Sequence, residues 1–222
     1  MNQPDFFEEN ENEKPSAAVD FYSAPDITGI FELSVEAFYS VIYARMSCLP
    51  IQSEIFRFIE KVKRAGKDRA AAAKAAFDRG DPDVLTVLRA AGKVLTEIHR
   101  LTGFLRFNPD SGGVYIARCS PDYFILPALA EHFTRRFGDT PWAIIDEKRK
   151  LCLCRENGGP ARLIALSSSG PPTTTAGKNS TDPWEELWKL YHRSVNNEGR
   201  KNPNLQRQFI PERYHKYLPE MK

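Results

Sequence analysis

The chain has 222 residues, of which 41% are hydrophobic and 27% are charged. It is therefore long enough to bury a core, as one large domain or two small ones. No apolar run approaches the roughly 20 residues that a membrane-spanning helix needs, and the first residues lack the basic-then-apolar pattern of a secretory signal. We therefore expect a globular, cytoplasmic protein with no membrane partner.

Charge is distributed unevenly, although the formal net charge is only +2. Residues 1–13 hold five acidic residues and no basic one, whereas Lys189 to Lys222 contains eight lysines and arginines against three glutamates. This asymmetry predicts a disordered acidic leader and a tail that faces an anion. Two solvated segments without a partner are the alternative reading.

The four cysteines are few and form no CxxC pair: Cys48, Cys119, Cys152 and Cys154. In a chain without a signal sequence they predict reduced, buried thiols rather than disulfides. Cys152 and Cys154 would share one face of a strand and could bind zinc together with a histidine. No second ligand pair lies nearby, so a core strand is the favoured reading and we expect neither metal nor cofactor.

The first half of the chain predicts helices. Apolar residues at helical spacing predict one helix from Ile27 to Tyr43, broken by Pro50, and a second from Ile51 to Val62. An alanine-rich helix follows over 69–77 and stops at Gly80. Asp81 then caps a long helix with Pro82 at its first position. Its apolar stripe would be Val84, Leu85, Leu88, Ala91, Leu95, Ile98 and Leu101, and Gly103 would end it in a left-handed turn.

After Gly103 the apolar period changes to two, which is typical of strands. Residues 104–107 and 114–119 predict a hairpin, and a helix from Pro127 ends at Gly138. A second hairpin pairs 142–146 with 150–155, and 162–166 adds a strand. The fold class is therefore α+β: an N-terminal helical region, then a mostly antiparallel β-β-α-β-β(-β) sheet with a helix on one face.

The end of the chain predicts a linker, a helix and an irregular tail. Asp182, Pro183 and Glu185 form a capping box at the start of the helix. The predicted regions are a leader at 1–18, a helical region at 19–103, a sheet at 104–166, a linker at 167–181, and the C-terminal helix with its basic tail at 182–222. We expect residues 19–222 to form one compact unit.

Motifs in a fixed order extend over most of residues 84–220. They are Glu97-x-His-Arg-Leu-x-Gly-Phe-Leu-Arg-Phe107, Tyr115-x-Ala-x-x-x-Pro-Asp122, Ile125-Leu-Pro-x-Leu-Ala-x-His-Phe-x-x-Arg-Phe137, Pro141-Trp-x-Ile-x-Asp146, Trp188-x-x-Tyr191, Arg200-Lys-Asn-Pro-x-Leu-Gln-Arg-Gln-Phe209 and Pro211-x-Arg-Tyr-x-Lys-Tyr-Leu-Pro-Glu220. With these motifs the chain resembles a bacterial family of DNA-metabolism and DNA-repair proteins whose genes accompany that of a radical SAM protein. A related module looks to be fused to some uracil-DNA glycosylases.

The resemblance implies a role in DNA metabolism, DNA as a ligand and a radical SAM protein as partner. It supplies no catalytic residues to carry over. His215 departs from the family's pattern, in which tryptophan stands between the tyrosine and the lysine, and this departure weakens a stacking role at that position.

His99, His132 and Asp146 are the candidates for catalysis, because imidazole and carboxylate groups can transfer protons near neutral pH. Half-buried structural histidines are the more common alternative. Asp146 could equally pair with Arg106, Arg136 or Arg149, or hold a turn. No nucleophile–base motif accompanies these residues.

The basic tail is the stronger functional candidate. Cations neutralise phosphates and aromatic rings stack on exposed bases. The predicted nucleic-acid-binding residues are Arg106, Arg136, Arg193, Arg200, Lys201, Arg207, Arg213, Tyr214, Lys216 and Tyr217. In the alternative reading the tail's aromatic side chains, the tyrosines and Phe209, dock it onto the sheet while its cations stay solvated.

Three functions therefore stay open on the sequence. The first is a DNA-binding accessory protein that works with the radical SAM partner. The second is a nucleic-acid-acting enzyme with a histidine, aspartate and arginine cleft. The third is a protein-binding scaffold without DNA contact.

Overall fold

The computed structural model describes residues 25–156, 158–166, 183–195, 197–200 and 202–221. These residues form two compact units. The helical unit comprises residues 25–100 together with 121–125. The sheet unit comprises 101–120 and the described residues from 126 onward. The division falls inside the longest helix, and the fold class is α+β, as predicted.

Five helices contribute to the helical unit: α1 (Pro25–Phe31), α2 (Val35–Met46), α3 (Gln52–Arg64), α4 (Arg69–Ala76) and the first part of α5 (Pro82–Phe104). The prediction of a single helix from Ile27 to Tyr43 is wrong, because a new helix begins directly after Ser34. Its hydroxyl accepts a hydrogen bond from the Ala37 amide at 3.1 Å, as an N-cap does. The apolar pattern continues across this break and so conceals it.

The start of α5 is as predicted. Asp81 Oδ1 accepts hydrogen bonds from the amides of Asp83 and Val84, at 2.9 and 3.2 Å. Asp81 also forms an ion pair with Lys61, and Arg57 pairs with Asp83 at 2.9 Å. The cap of α5 is therefore also the point where α3 is attached to it.

The apolar face and the end of α5 differ from the prediction. Val84, Val87, Ala91, Val94 and Leu101 are buried, whereas the predicted Leu95 is 45% exposed. The face follows spacings of three and four through Val87 and Val94, so Leu95 lies outside it.

Gly103 lies inside α5, which continues to Phe104. Gly66, Gly113, Gly138 and Gly158 are the described glycines with a positive φ, so the predicted left-handed turn at Gly103 is wrong. The predicted strand over 104–107 is wrong too, since the first strand begins at Asn108.

The sheet unit contains five strands in the order of the sequence: β1 (Asn108–Pro109), β2 (Tyr115–Cys119), β3 (Trp142–Asp146), β4 (Leu151–Arg155) and β5 (Arg162–Ala165). Helix α6 (Leu126–Phe137) connects β2 to β3, and these two strands are parallel. The other pairings are antiparallel. The sheet is therefore mixed and mostly antiparallel, because only the helical crossover lets two strands run in the same direction.

Helix α6 packs on the sheet through aromatic side chains. Phe133 is fully buried, and its ring lies 6.2 Å from that of Trp142 and 5.0 Å from that of Phe107. Gly138 ends α6 with a φ of 57°, as predicted. The buried Arg155 donates hydrogen bonds to the carbonyls of Gly138 and Gly159. This guanidinium thus joins the end of α6 to the loop after β4.

The predicted buried thiols are confirmed for three of the four cysteines, and none of the four forms a disulfide. Cys152 and Cys154 belong to a core cluster with Ile116 and Ile145. The contact with Cys154 and burial raise the pKa of the Cys152 thiol, so it stays protonated. Cys48 is exposed, against the prediction.

The C-terminal segment is more regular than predicted. Helices α7 (Pro183–Val195) and α8 (Pro203–Phe209) alternate with short 3₁₀ helices at Glu198–Arg200, Glu212–Tyr217 and Pro219–Met221. The prediction of an irregular tail is therefore wrong; Asn202 caps α8 by accepting a hydrogen bond from the Leu205 amide at 3.0 Å. The predicted leader, the linker at 167–181 and the Asp182 cap lie outside the described residues. No helix among those described has the length and apolarity to cross a membrane.

Candidate nucleic-acid interface

Tyr214 packs in the sheet unit and offers no open ring face. It is 1% exposed, and its ring centroid lies 5.6 Å from that of Phe104. The Arg213 guanidinium lies 4.7 Å from the Tyr214 ring centroid and donates a 3.1 Å hydrogen bond to the Tyr214 hydroxyl. Both residues belong to the predicted binding set, and in the structure both make contacts that hold the tail in place.

Tyr217 and Lys216 meet at one carboxylate, Glu147, which is the first residue after β3. The Tyr217 hydroxyl donates to Glu147 Oε2 at 2.6 Å, and Lys216 Nζ lies 3.2 Å from the same oxygen. Burial alone would raise the pKa of Glu147, but these two donors hold it below its ordinary value. The geometry of Tyr214 and Tyr217 thus matches the alternative in which the tail docks through its tyrosines.

Besides Arg213, three arginines of the C-terminal segment are exposed: Arg193 on α7, Arg200 in the first 3₁₀ helix and Arg207 on α8. Within the part of the chain that the structure describes, none of the three forms an ion pair with a carboxylate. They carry a positive charge that the described protein groups leave uncompensated. The predicted Lys201 lies outside the described residues.

Large apolar side chains are exposed in the same segment as these arginines. Phe209, two residues after Arg207, is 65% exposed, and Tyr191, two residues before Arg193, is 54% exposed. Trp188 lies 5.8 Å from Tyr191 between ring centroids, with the planes tilted by 36°. The remaining exposed apolar side chains of α7 are Leu187, Leu190 and Val195. Cations and open rings therefore alternate along this segment.

Arg106 is held against this surface. Its guanidinium lies 5.6 Å from the Trp188 ring centroid and donates a 2.7 Å hydrogen bond to the Gly103 carbonyl. Helix α7 contacts the 3₁₀ helix Pro219–Met221, and Gln206 of α8 lies 3.3 Å from Met221 Sδ. Both arginine-bearing helices thus adjoin the same short segment. We call Arg106, α7, Glu198–Arg200 and α8 together the tail surface.

A second basic site lies on the exposed side of α6. Ala128, Glu131, His132, Arg135 and Arg136 line an open depression of about 420 Å³. His132 is exposed, with its ring edge-on to Phe133 at 4.8 Å, and Arg135 is neutralised by Glu131. Arg136 is the exposed cation predicted there. This depression could admit an anion, but it carries fewer open cations than the tail surface.

The three catalytic candidates lie in different surroundings. Asp146 is fully buried and accepts hydrogen bonds from the amides of Lys148 and Arg149, while its second oxygen pairs with the Arg149 guanidinium at 2.9 Å. It therefore holds the turn between β3 and β4, as its alternative reading proposed, and it is not among the residues lining the His132 depression. His99 is exposed and belongs to the helical unit. The alternative reading expected both histidines to be half-buried. Both are exposed instead.

Sequence reasoning missed two buried or half-buried carboxylates. Glu97 is 2% exposed and accepts hydrogen bonds from the amides of Asp122 and Tyr123, each at 2.9 Å. Glu147 organises the tail contact described above. From the sequence, Glu97 is only the first residue of a motif. Its position on α5 between Val94 and Leu101, which are both buried, is the signal that could have indicated a buried carboxylate. No group of three or more metal-binding side chains occurs among the residues that the structure describes.

Comparison with curated proteins and with solved structures found no match. One family model, described as a domain of unknown function, matches residues 51–220. The match includes the second half of the helical unit, the whole sheet and the tail surface. Because it covers well over half of the sequence, the chain belongs to the DUF4130 family.

Proposed function

We propose that the protein is a nucleic-acid-binding accessory factor of bacterial DNA metabolism or repair that works with a radical SAM protein. The observation that carries the proposal is the set of exposed guanidiniums of Arg193, Arg200 and Arg207, which no described carboxylate neutralises. The resemblance of the motifs to DNA-metabolism proteins supports DNA as the ligand and the radical SAM protein as partner.

The physical basis is release of counterions from phosphates. Each phosphate that an arginine neutralises adds roughly 0.7 to 0.9 to the slope of log affinity against log salt concentration. Three arginines predict a total slope on the order of 2 to 3, and hence binding that is strong only at low salt. Arg106 and Arg136 would add to this slope if the nucleic acid reached them.

The test is fluorescence anisotropy of labelled DNA with the whole protein over a range of salt concentrations. We expect the triple substitution R193Q, R200Q and R207Q to weaken binding and to reduce the salt slope by roughly 2 to 3. The matched control R64Q, K67Q and R79Q removes the same charge from exposed positions of the helical unit and should leave the slope near that of the wild type. Absence of DNA binding at low salt, or equal effects of both triple variants, would contradict the proposal.

A protein-binding scaffold is the second candidate, because α7 also exposes the aliphatic side chains Leu187, Leu190 and Val195. Aliphatic groups gain nothing from phosphates but are buried at protein interfaces. Co-purification with the radical SAM protein, lost in L187E and L190E and retained in the arginine triple variant, would support this candidate. The same experiment separates the partner's contacts from those of DNA.

A further inference from the structure

We infer that the tail surface binds single-stranded nucleic acid, with unpaired bases stacked on Tyr191, Phe209 and Trp188. This inference rests on the proposed function, because it requires the neighbouring arginines to bind phosphates. It names the form of nucleic acid that the surface selects, which charge alone does not determine.

Two aromatic rings of the tail surface are open to solvent. Tyr191 and Phe209 have more than half of their surface open to solvent, although aromatic side chains of this size are usually buried. Each lies two residues from an exposed arginine, Arg193 or Arg207. Residues two apart on a helix point in different directions, so the arginine and the ring would bind different nucleotides of a strand that crosses the helix.

Single and double strands differ in how much of each base is open to a protein ring. In a duplex both faces of each base are already covered by neighbouring bases, so protein rings have no face to stack on. Unpaired bases keep their faces open, and each base stacked on an aromatic ring strengthens binding roughly five- to hundredfold. Exposed rings between arginines therefore favour a single strand over a duplex.

Trp188 adds a ring that is already positioned. Arg106 covers it at 5.6 Å and is fixed by the hydrogen bond to Gly103, while Tyr191 lies beside it at 5.8 Å. Holding a ring in place before binding reduces the entropy lost when the ligand is bound. Trp188 and Tyr191 can thus receive neighbouring bases of one strand.

Charge distinguishes this occupant from a protein. Lys189 of α7 pairs with Glu186 at 3.1 Å, so this basic residue is neutralised. Arg193, Arg200 and Arg207 are exposed in the same segment as the rings and have no described acidic partner. A single-stranded nucleic acid has both the negative charge that the arginines can bind and the open base faces that the rings can bind.

The stacking residues differ from those expected from the sequence. Tyr214 is buried and the Tyr217 hydroxyl is bound to Glu147, so neither ring is the one we assign to a base. Tyr191 and Phe209 were interleaved with arginines in the sequence but could not be ranked above the other aromatic residues without their exposure.

The experiment measures anisotropy of the whole protein at low salt with labelled oligothymidylate, oligouridylate of equal length and a blunt DNA duplex. We expect at least tenfold tighter binding to a single strand than to the duplex. Y191A and F209A should each weaken single-strand binding fivefold or more and change duplex binding less than twofold. Y191W should retain the binding, because it keeps an aromatic face.

F56A is the matched control, since Phe56 is a ring of similar exposure in the helical unit. It should bind every oligonucleotide as the wild type does, and circular dichroism should show all four variants folded. A preference for oligothymidylate or for oligouridylate would support the inference and identify the sugar. Equal affinity for single strand and duplex, with no effect of Y191A or F209A, would overturn it and leave the proposed function standing. Failure of the wild type to bind any of the three would overturn the proposed function itself.

Discussion

Tyr217 donates a 2.6 Å hydrogen bond to the carboxylate of Glu147, which lies 70 positions earlier in the sequence. Burial and this hydrogen bond raise the pKa of Tyr217, so the hydroxyl remains a donor at any physiological pH. The 3₁₀ helix Glu212–Tyr217 is thereby attached to the turn after β3. The contact thus joins the segment that follows α8 to the sheet.

Replacing Tyr217 with phenylalanine should lower the free energy of unfolding by about 1.5 kcal/mol, because a hydrogen bond to a charged acceptor is lost while the ring is kept. We expect no larger effect, since Lys216 still pairs with Glu147. Urea denaturation measures the change. Y39F removes a hydroxyl from a ring that is 43% exposed and should cost less than about 0.5 kcal/mol. Equal stability of Y217F and the wild type would show that the contact does not stabilise the tail.

The contact at Glu147 should also depend on pH. The pKa of Glu147 is lower in the folded chain than its ordinary value of 4.5, so its contribution is present above 4.5 and is lost as the pH falls through the folded pKa. We expect the stability difference between the wild type and E147Q to shrink below pH 4.5. Denaturation at a series of pH values measures it. A difference that grew on acidification would reverse the assigned sign.

Asp146 should be required for folding rather than for chemistry. Removal of its carboxylate in D146A takes away the acceptor of two amides and one ionic partner of Arg149, at a cost of about 3 to 5 kcal/mol. D146N keeps one acceptor oxygen and should cost less. Thermal denaturation of both variants tests this order. A stable D146A protein would return Asp146 to the catalytic candidates.

Glu97 should be the most sensitive polar position of the helical unit. It is buried and accepts two backbone hydrogen bonds from residues 122 and 123. E97Q loses one charge-assisted bond and should cost about 1.5 to 3 kcal/mol, and E97A should cost more because both amides lose their carboxylate acceptor. Amide hydrogen exchange at Asp122 and Tyr123 checks the mechanism: both amides should lose protection in E97A. Unchanged protection would contradict it.

Two leucines of α5 test which face of the helix is buried. Leu101 is 2% exposed, and L101A should lower stability by about 2 to 5 kcal/mol. Leu95 is 45% exposed, and L95A should stay within about 0.5 kcal/mol of the wild type. Urea denaturation of both variants decides the matter, and similar costs would show that the buried face had been misplaced.

Local signals were sufficient for most of the sheet unit. Two short apolar runs, from Trp142 to Asp146 and from Leu151 to Arg155, are separated by a short charged turn. They specify a hairpin whose register depends on near neighbours alone. Pro127 and Gly138 mark both ends of α6 by their backbone preferences. The parallel pairing of β2 and β3 was not predicted, since it depends on where the crossover helix returns the chain.

Helix boundaries were predicted less well where local preference was weak. Gly103 can end a helix but does not have to, and α5 continues through it. Ser34 is a good cap, but the apolar residues on both sides of it keep one helical spacing, so the break was not apparent. At these positions the surrounding packing selects among backbone states that the sequence leaves nearly equal.

The basic tail was recognised from composition, but its residues could not be sorted by role. Arg207 and Arg213 are both exposed arginines of the tail, yet Arg213 binds Tyr214 and Arg207 has no described ionic or aromatic contact. Likewise Tyr191 is exposed while Tyr214 is buried. Which side chain faces solvent depends on how the short helices of the tail pack, and composition carries no information on that.

The outermost strands of the sheet bear on how the protein behaves at high concentration. β1 has two residues and β5 has four, so both edges of the sheet are short. Long unpaired edges let strands of other molecules add to a sheet and seed aggregates. Pro109 in β1 has no amide hydrogen with which to continue the ladder. Growth of a shared sheet from one molecule to the next is thus disfavoured at the edge formed by β1.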